Sequence, residues 1–341
     1  MLKSEKTKKE KLIGIIGASV FGIVIAAIVI WITFFEKGDK IIEADVNFGD
    51  AIVIQNNDLS LSVVSQKNEI LFESDIKGDR IIPNNNASAI YIIKSEDKTN
   101  SVHKLFYNKG EIALKKMYDF ELENLKESDI KWHGDTGAFF DESAHVFKVI
   151  NPEFLKTQKV KVEGMIESWT LTDEALYYSI DNIIYRYDLK TEKVTSELSI
   201  EDKTLSLFVK EDVLYVASQF GSSKNTSTLL MLDQVTLDII DLTTISSTDI
   251  KIFSSLTQDE HLYYKLLNQT KNNEVFYSYD AIEKRMGSEL ASALSSVENI
   301  WFGNKFAYTS TKGTGAVYSI YSSTPIFQTE QTVVQIYPLY K

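Results

Sequence analysis

Residues 174–194 read EALYYSIDNIIYRYDLKTEKV. Two mostly apolar runs, 175–180 and 183–189, flank the dipeptide Asp181-Asn182, whose residue types accept the positive φ that a two-residue hairpin demands. In the second run Ile183, Tyr185 and Tyr187 face one side while Ile184, Arg186 and Asp188 face the other, which is the period of a strand. With a further run before it (166–171) and another after the looser turn at 190–192 (193–198), the stretch predicts four antiparallel strands in sequence order.

Weaker copies of this phrase begin at Ala51, Ala89, Gly137, Val213, His261 and Lys305, so seven units fill most of the chain after residue 40. Their fourth residues, Ile54, Ile92, Phe140, Tyr178, Val216, Tyr264 and Tyr308, recur every 38 to 48 residues. Six units are preceded by another short strand: RIIP, DIKWHG, IESWTLT, LSLFVK, IKIFSS and VENIWFG. Short alternating strands at a period of roughly 40 to 50 residues mark the blades of a β-propeller. A sandwich with coincidentally similar hairpins is the competing architecture, but seven consecutive units with no long helical pattern between them favour the ring. One four-stranded sheet cannot cover both its faces, whereas radially arranged sheets bury each other. Tyr177, Tyr178, Tyr263 and Tyr264 are accordingly expected between blades rather than on a sugar-binding platform.

The expected fold class is therefore all-β, a seven-bladed β-propeller of four-stranded blades over residues 41–341. The phrase YRYDLKTEKV, with Tyr185, Asp188 and Thr191, resembles the third-strand, turn, fourth-strand portion of bacterial propellers of the quinoprotein-like and YVTN-like sort. In those a Tyr-x-x-Asp-x-x-Thr-Gly-Lys pattern recurs; Glu192 stands where the turn glycine is usual. The resemblance implies the fold and carries no functional residue across.

Ahead of the repeats, LIGIIGASVFGIVIAAIVIWITFF (12–35) contains 24 residues without a charge. A helix of that length reaches about 36 Å, enough to span a hydrocarbon core of about 30 Å. The preceding tail, 1–11, has five lysines and two glutamates, which places it in the cytoplasm and everything after a linker (36–40) outside. A cleaved signal peptide would have a shorter apolar region ending at a small-residue site. An uncleaved transmembrane signal anchor is expected instead. Gly14, Ala18, Gly22 and Ala26 recur every four residues and line one side of that helix, the spacing that lets a second membrane helix, its own copy or another subunit's, approach closely.

The 341 residues carry a formal net charge of −12 and no cysteine, which rules out disulfides, thiolate metal sites and a cysteine nucleophile. Without the tail and span the charge is −15, so nucleic acid and anionic lipid headgroups are disfavoured partners. Arginine is scarce, at positions 80, 186 and 285 among 36 basic residues, and Ile and Asn are abundant, which hints at an AT-rich, low-GC Gram-positive genome. A disulfide-free exported domain of this size also suits a bacterial surface.

No phosphate loop, nucleophile elbow, zinc-protease helix or calcium loop is present, and no cofactor or metal is expected. The densest group of chemistry-bearing residues, His133, Asp135, Asp141, Glu142 and His145, has the spacing of solvated turns rather than of a metal or acid–base site. The loops between second and third strands all emerge on one face of a propeller. They read short in units three and four and longer in units five, six, seven, one and two, which would make a contiguous sector. Gly221, Lys224, Asn225, Asn268, Lys271, Asn273, Lys312 and Thr314 on that sector are the candidate partner-binding residues. The expected function is a non-enzymatic, membrane-anchored binding or scaffold subunit of a bacterial cell-envelope assembly. A ligand sensor, a carbohydrate-binding propeller and a hydrolase are the alternatives; an 11-residue tail leaves little room for a sensor's cytoplasmic output.

Overall fold

The hairpin at Asp181-Asn182 forms as its turn chemistry requires. In the computed structural model these residues have φ of 49° and 64°, and the ladder runs without interruption from Ala175↔Asp188 to Ile180↔Ile183. Positive φ at both turn residues gives the twist that matches right-handed strands. Ser168–Leu171, Ala175–Ile180, Ile183–Asp188 and Lys193–Ser199 make one antiparallel sheet in that order. The alternation is realised: Tyr185 and Tyr187 pack toward the preceding sheet, and Ile184 packs toward the following one.

The structure describes residues 47–96, 99–120, 129–151, 157–219, 227–245, 250–252, 261–268, 273–291, 294, 297, 299–329 and 332–341. Phe48–Lys341 is one unit, and its described residues form seven four-stranded antiparallel sheets. Apolar clusters fill the spaces between successive sheets, for example Phe147, Trp169, Leu176 and Tyr178 between the third and fourth. The architecture is a β-propeller. Residues 1–40, on which the expected cytoplasmic tail, the expected span with its Gly14, Ala18, Gly22 and Ala26 stripe, and the expected linker fall, lie outside the described residues. Among the described residues no helix is long and apolar enough to cross a membrane.

Blade one departs from the sequence expectation, which gave it no leading strand. Its order is Val333–Leu339, Ala51–Asn56, Leu61–Val64, Ile70–Ser74. The last strand of the chain thus becomes the innermost strand of the first blade, paired antiparallel from Ala51↔Leu339 to Ile54↔Ile336. After five connecting residues (75–79), Arg80–Pro83 opens blade two, and the chain proceeds blade by blade from there.

The repeat frame also needs a correction of one residue in two units. Blade three pairs His133↔Thr136 and blade seven pairs Gly303↔Phe306 at the first inner hairpin. Their second strands therefore start at Thr136 and Phe306, so Phe139 and Thr309 occupy the place assigned to Phe140 and Tyr308. A slip of one residue exchanges the two faces of a strand. In the corrected frame Tyr91, Tyr177, Tyr263 and Tyr308 share one position, the third residue of the second strand, and each is at most 1% exposed. Their hydroxyls reach the neighbouring blade. Tyr91 donates to Gly134 O (3.0 Å), Tyr177 to Gln234 O (3.1 Å) and Tyr308 to Phe48 O (2.7 Å), while Tyr263 accepts from Lys305 N (3.1 Å). A buried ring thereby packs one interface and its polar tip satisfies a turn of the next blade, each such bond contributing about 1 kcal/mol net.

Candidate functional site

The innermost strands Arg80–Pro83 and Ile130–His133 alternate between buried and half-buried residues, and register decides which residues of the described inner strands form each ring. Opposite the third residue of the second strand stand Ile82, Lys131, Thr170, Phe208, Trp301 and Tyr337. Two residues along, opposite the fifth, stand Arg80, Ser168, Ser206, Asn299 and Gln335. All of these except Asn299 line a single axial cavity of about 960 Å³. Asn299 lines a side recess of about 100 Å³ that opens beside Trp301, Gln335 and Tyr337, between the inner strands of blades seven and one.

The cavity wall is chemically divided. Phe208, Trp301 and Tyr337 give blades five, seven and one an aromatic side. Arg80 and Lys131 give blades two and three a cationic one. The Lys131 ammonium donates to Trp169 O, lies 4.6 Å from the Trp169 ring centre and sits 3.7 Å from the Asp129 carboxylate. Its charge is thus held at the wall by a cation–π contact and one acid. Burial pushes the Tyr337 phenol far above its ordinary pKa, with Arg80 pulling the other way, and the hydroxyl donates to Gln335 Oε1 at 2.8 Å.

At the end of the cavity formed by the first inner hairpins, a polar network joins three blades. Asn85 lies 3.0 Å from His133 Nε2 and accepts from Gly134 N. His133 Nδ1 lies 3.5 Å from Asp173, which also accepts from Thr136 (2.9 Å); Asn151 in turn donates to Thr136 (2.8 Å). Burial raises the Asp173 pKa, but the His133 and Thr136 hydrogen bonds outweigh it and leave the carboxyl below its ordinary value. Beside this network the single Tyr91 hydroxyl proton is shared between Gly134 O and Asp135, which pairs with Lys104 at 2.5 Å. Desolvation, aided by Asp135, drives the Tyr91 phenol far up.

The cluster of histidines and acids noted in the sequence is therefore split. His133 and Asp135 stand at the near end of the strand Thr136–Asp141, and Asp141, Glu142 and His145 at its far end, about 17 Å away at 3.3 Å per residue. Asp141 instead binds Ser143 and Ala144 N and pairs with Lys148 at 3.5 Å. Among the described residues no three or more His, Cys, Asp or Glu are placed to hold a metal ion.

Of the candidate partner-binding residues, Gly221, Lys224, Asn225 and Lys271 lie outside the described residues. Asn268 and Asn273 pair across the mouth of the blade-six hairpin, which leaves a four-residue connection (269–272). Lys312 belongs to a tight turn with Gly313, φ 50° and 82°, closed by the pair Thr311↔Thr314. The loops read as long in units two and seven are thus two-residue turns between extended strands, since blade two pairs Glu96↔Thr99. Polar residues alone made them look like loops. The longest connection on this face between described strands is in blade five (220–226); blade six (269–272) has four residues, as do blade one (57–60) and blade three (142–145), the last of which reads as short in the sequence. The axial residues Arg80, Lys131, Trp301, Gln335 and Tyr337 were not singled out from sequence. Alternation within RIIP, IKWH, NIWFG and VVQIYPL would have marked them.

No protein-family model matches the chain, and no curated protein matches it by sequence. Solved structures match by fold. Apo AztD from Citrobacter koseri superposes with a TM-score of 0.55 at 10% identity, over 84% of this chain and 96% of that one. A Bacteroides uniformis protein provisionally described as a 6-phosphogluconolactonase gives 0.53 at 10%, over 84% and 98%. Kluyveromyces lactis Hsv2 with loop 6CD replaced by a Gly-Ser linker gives 0.50 at 12%, over 74% and 81%. The likeness is one of fold. It extends the resemblance first visible in YRYDLKTEKV to the whole ring.

Proposed function

We propose that this chain is a membrane-anchored binding or scaffold subunit of a cell-envelope assembly, displayed outside the membrane of a low-GC Gram-positive bacterium, and that it engages protein partners through one propeller face. The observation that carries the reading is the pairing of a 24-residue uncharged span, behind a lysine-rich tail, with a rigid all-β ring. A ring of sheets holds its connecting loops on a fixed scaffold, which suits docking. The strong acidity of the part beyond the span suits a soluble exported domain and disfavours nucleic acid. Residues 220–226 and 269–272, which include Gly221, Lys224, Asn225 and Lys271 and are flanked by Asn268 and Asn273, are the docking loops in this reading. Lys312 and Thr314 add a tight hairpin on the same face. The function is non-enzymatic, and the Gly14, Ala18, Gly22 and Ala26 stripe packs against a second helix.

The test is topological first. Protease added to intact protoplasts should remove the bulk of the full-length protein and leave a small membrane-embedded N-terminal fragment; a fully protected propeller would refute the anchor. Replacing 220–226 and 269–272 with Asn-Gly turns should then leave the melting temperature unchanged while abolishing cross-linking to envelope proteins. Undiminished cross-linking would move the interface off this face.

A further inference from the structure

The axial cavity carries an inference independent of the docking face. Its volume of about 960 Å³ lies at the upper end of the range in which proteins enclose small organic molecules, roughly 300–1,000 Å³. Its wall is not uniformly polar, as a solvent-filled axis would allow. Phe208, Trp301 and Tyr337 stand at one level on blades five, seven and one. Arg80 and Lys131 stand on the adjoining blades two and three. Arginine is one of the rarest residues in this lysine-rich, net-acidic chain, and one of its three copies is placed here.

The geometry points to a binding site in this cavity for a planar organic carboxylate, its flat apolar body against Trp301 and Tyr337 and its carboxylate toward Arg80. An aromatic face and a guanidinium within one partly desolvated space recognise the two halves of such a molecule by stacking and by a two-pronged charge-assisted hydrogen bond. Ser168, Ser206 and Gln335, on the same ring as Arg80, supply further polar contacts. Among the described residues the acids of the wall are Asp129, Glu142 and Glu167. Asp129 is paired with Lys131 at 3.7 Å, Glu142 is exposed in the turn after Asp141, and Glu167 lines the cavity with its Oε2 buried. Glu167 remains the acid that opposes an anion most directly, so its neutral isostere has a predicted sign.

The experiment is calorimetric titration of the full-length protein in detergent with naphthalene-2-carboxylate and, as an uncharged match, naphthalene-2-carboxamide. The carboxylate should bind at one site and the carboxamide at least about tenfold more weakly. Arg80→Gln should remove that difference, Trp301→Ala should weaken both probes, and Glu167→Gln should tighten the carboxylate. Each variant is compared at an unchanged melting temperature; Arg80→Lys, which keeps the charge and loses the fork, replaces Arg80→Gln if the latter unfolds, and should keep only part of the preference. No carboxylate binding at millimolar concentration, or equal binding of the two probes, overturns the assignment. Binding of tri-N-acetylchitotriose in place of either overturns it in favour of a carbohydrate site.

Discussion

Blade four and blade one are the same four-stranded sheet reached by different routes. Blade four is one unbroken stretch, Ser168 to Ser199, whose strands are joined by short turns. Blade one draws three strands from 51–74 and its innermost strand from Val333–Leu339, so the ladder Ile54↔Ile336 joins residues from opposite ends of the ring. Contacts close in sequence cost little chain entropy, whereas a contact across the whole propeller is repaid only when every blade between is in place. Blade four should therefore behave as a local unit, and blade one as the seam on which the ring depends. The seam is held by more than its ladder. Tyr308 donates to Phe48 O, Ser310 to Val334 O at 2.6 Å, and Phe48 packs edge-on against Phe306 with ring centres 6.0 Å apart.

The largest effect should come from removing residues 332–341. Blade one then loses its inner strand, exposing the edge of Ala51–Asn56 and the faces of blades seven and one, and the truncated protein should lose its cooperative melt and aggregate. A deletion variant that melts within a few degrees of the intact protein would show that the seam is not required. Next is Ile336→Asp, which buries an unpaired charge at a position 3% exposed and should cost about 3–5 kcal/mol in denaturant titration. The same change at Val194 on the outer strand of blade four, 46% exposed, should cost less than about 0.5 kcal/mol.

A finer comparison uses two buried tyrosines. Tyr308→Phe removes the donor that satisfies Phe48 O across the seam and should cost about 1–3 kcal/mol. Tyr178→Phe, in blade four, retains the ring packing against Phe147 and Tyr185 and should cost less than about 0.5 kcal/mol. Equal losses from the two would remove the distinction drawn between seam and interior. Smaller still is the effect of Asn182→Gly. The turn already holds φ at 64° there, so relief of left-handed strain should offset the added chain entropy and leave stability within about 0.5 kcal/mol.

The pH dependence has a definite direction. Burial raises the Asp173 pKa, but hydrogen bonds from His133 and Thr136 prevail, so it lies below its unfolded value. A carboxyl whose folded pKa is depressed contributes stability that is complete above the unfolded pKa of about 4 and is lost as pH falls through the folded value. Asp173→Asn should therefore lower stability at neutral pH and flatten its decline below about pH 4, read as the melting temperature from pH 3 to 7. An unaltered slope would assign the acid sensitivity to other carboxyls, of which Asp188, held down by Thr191 against the opposing effect of burial, is the next in blade four.

Much of the ring was legible before any coordinates. Alternation and turn residues depend on neighbours in sequence, so blade four was placed to within a residue or two at its strand ends. The same locality explains the errors. The polar residues of SEDKTNS (95–101) and TKGTGA (311–316) read as loops because a hairpin can extend its strands through polar residues, exposed ones such as Thr99 and buried ones such as Asn100 alike, and only the pairing reveals it. Tyr308 was aligned with Tyr178 instead of Tyr177 because apolar spacing leaves a one-residue frame ambiguous, and the first inner hairpin of each blade resolves it.

By itself the sequence determined seven hairpin-rich units, their strand character, the acidity that disfavours nucleic acid, and the uncharged span that motivates an anchor, all properties of residues close together in the chain. Tertiary structure alone decided that Val333–Leu339 completes blade one and that Arg80, Lys131, Phe208, Trp301 and Tyr337 face a common cavity. These residues come from five different blades, up to 257 positions apart in the chain. No local pattern joins them, because what brings them together is closure of the ring, and closure is a contact between its two ends.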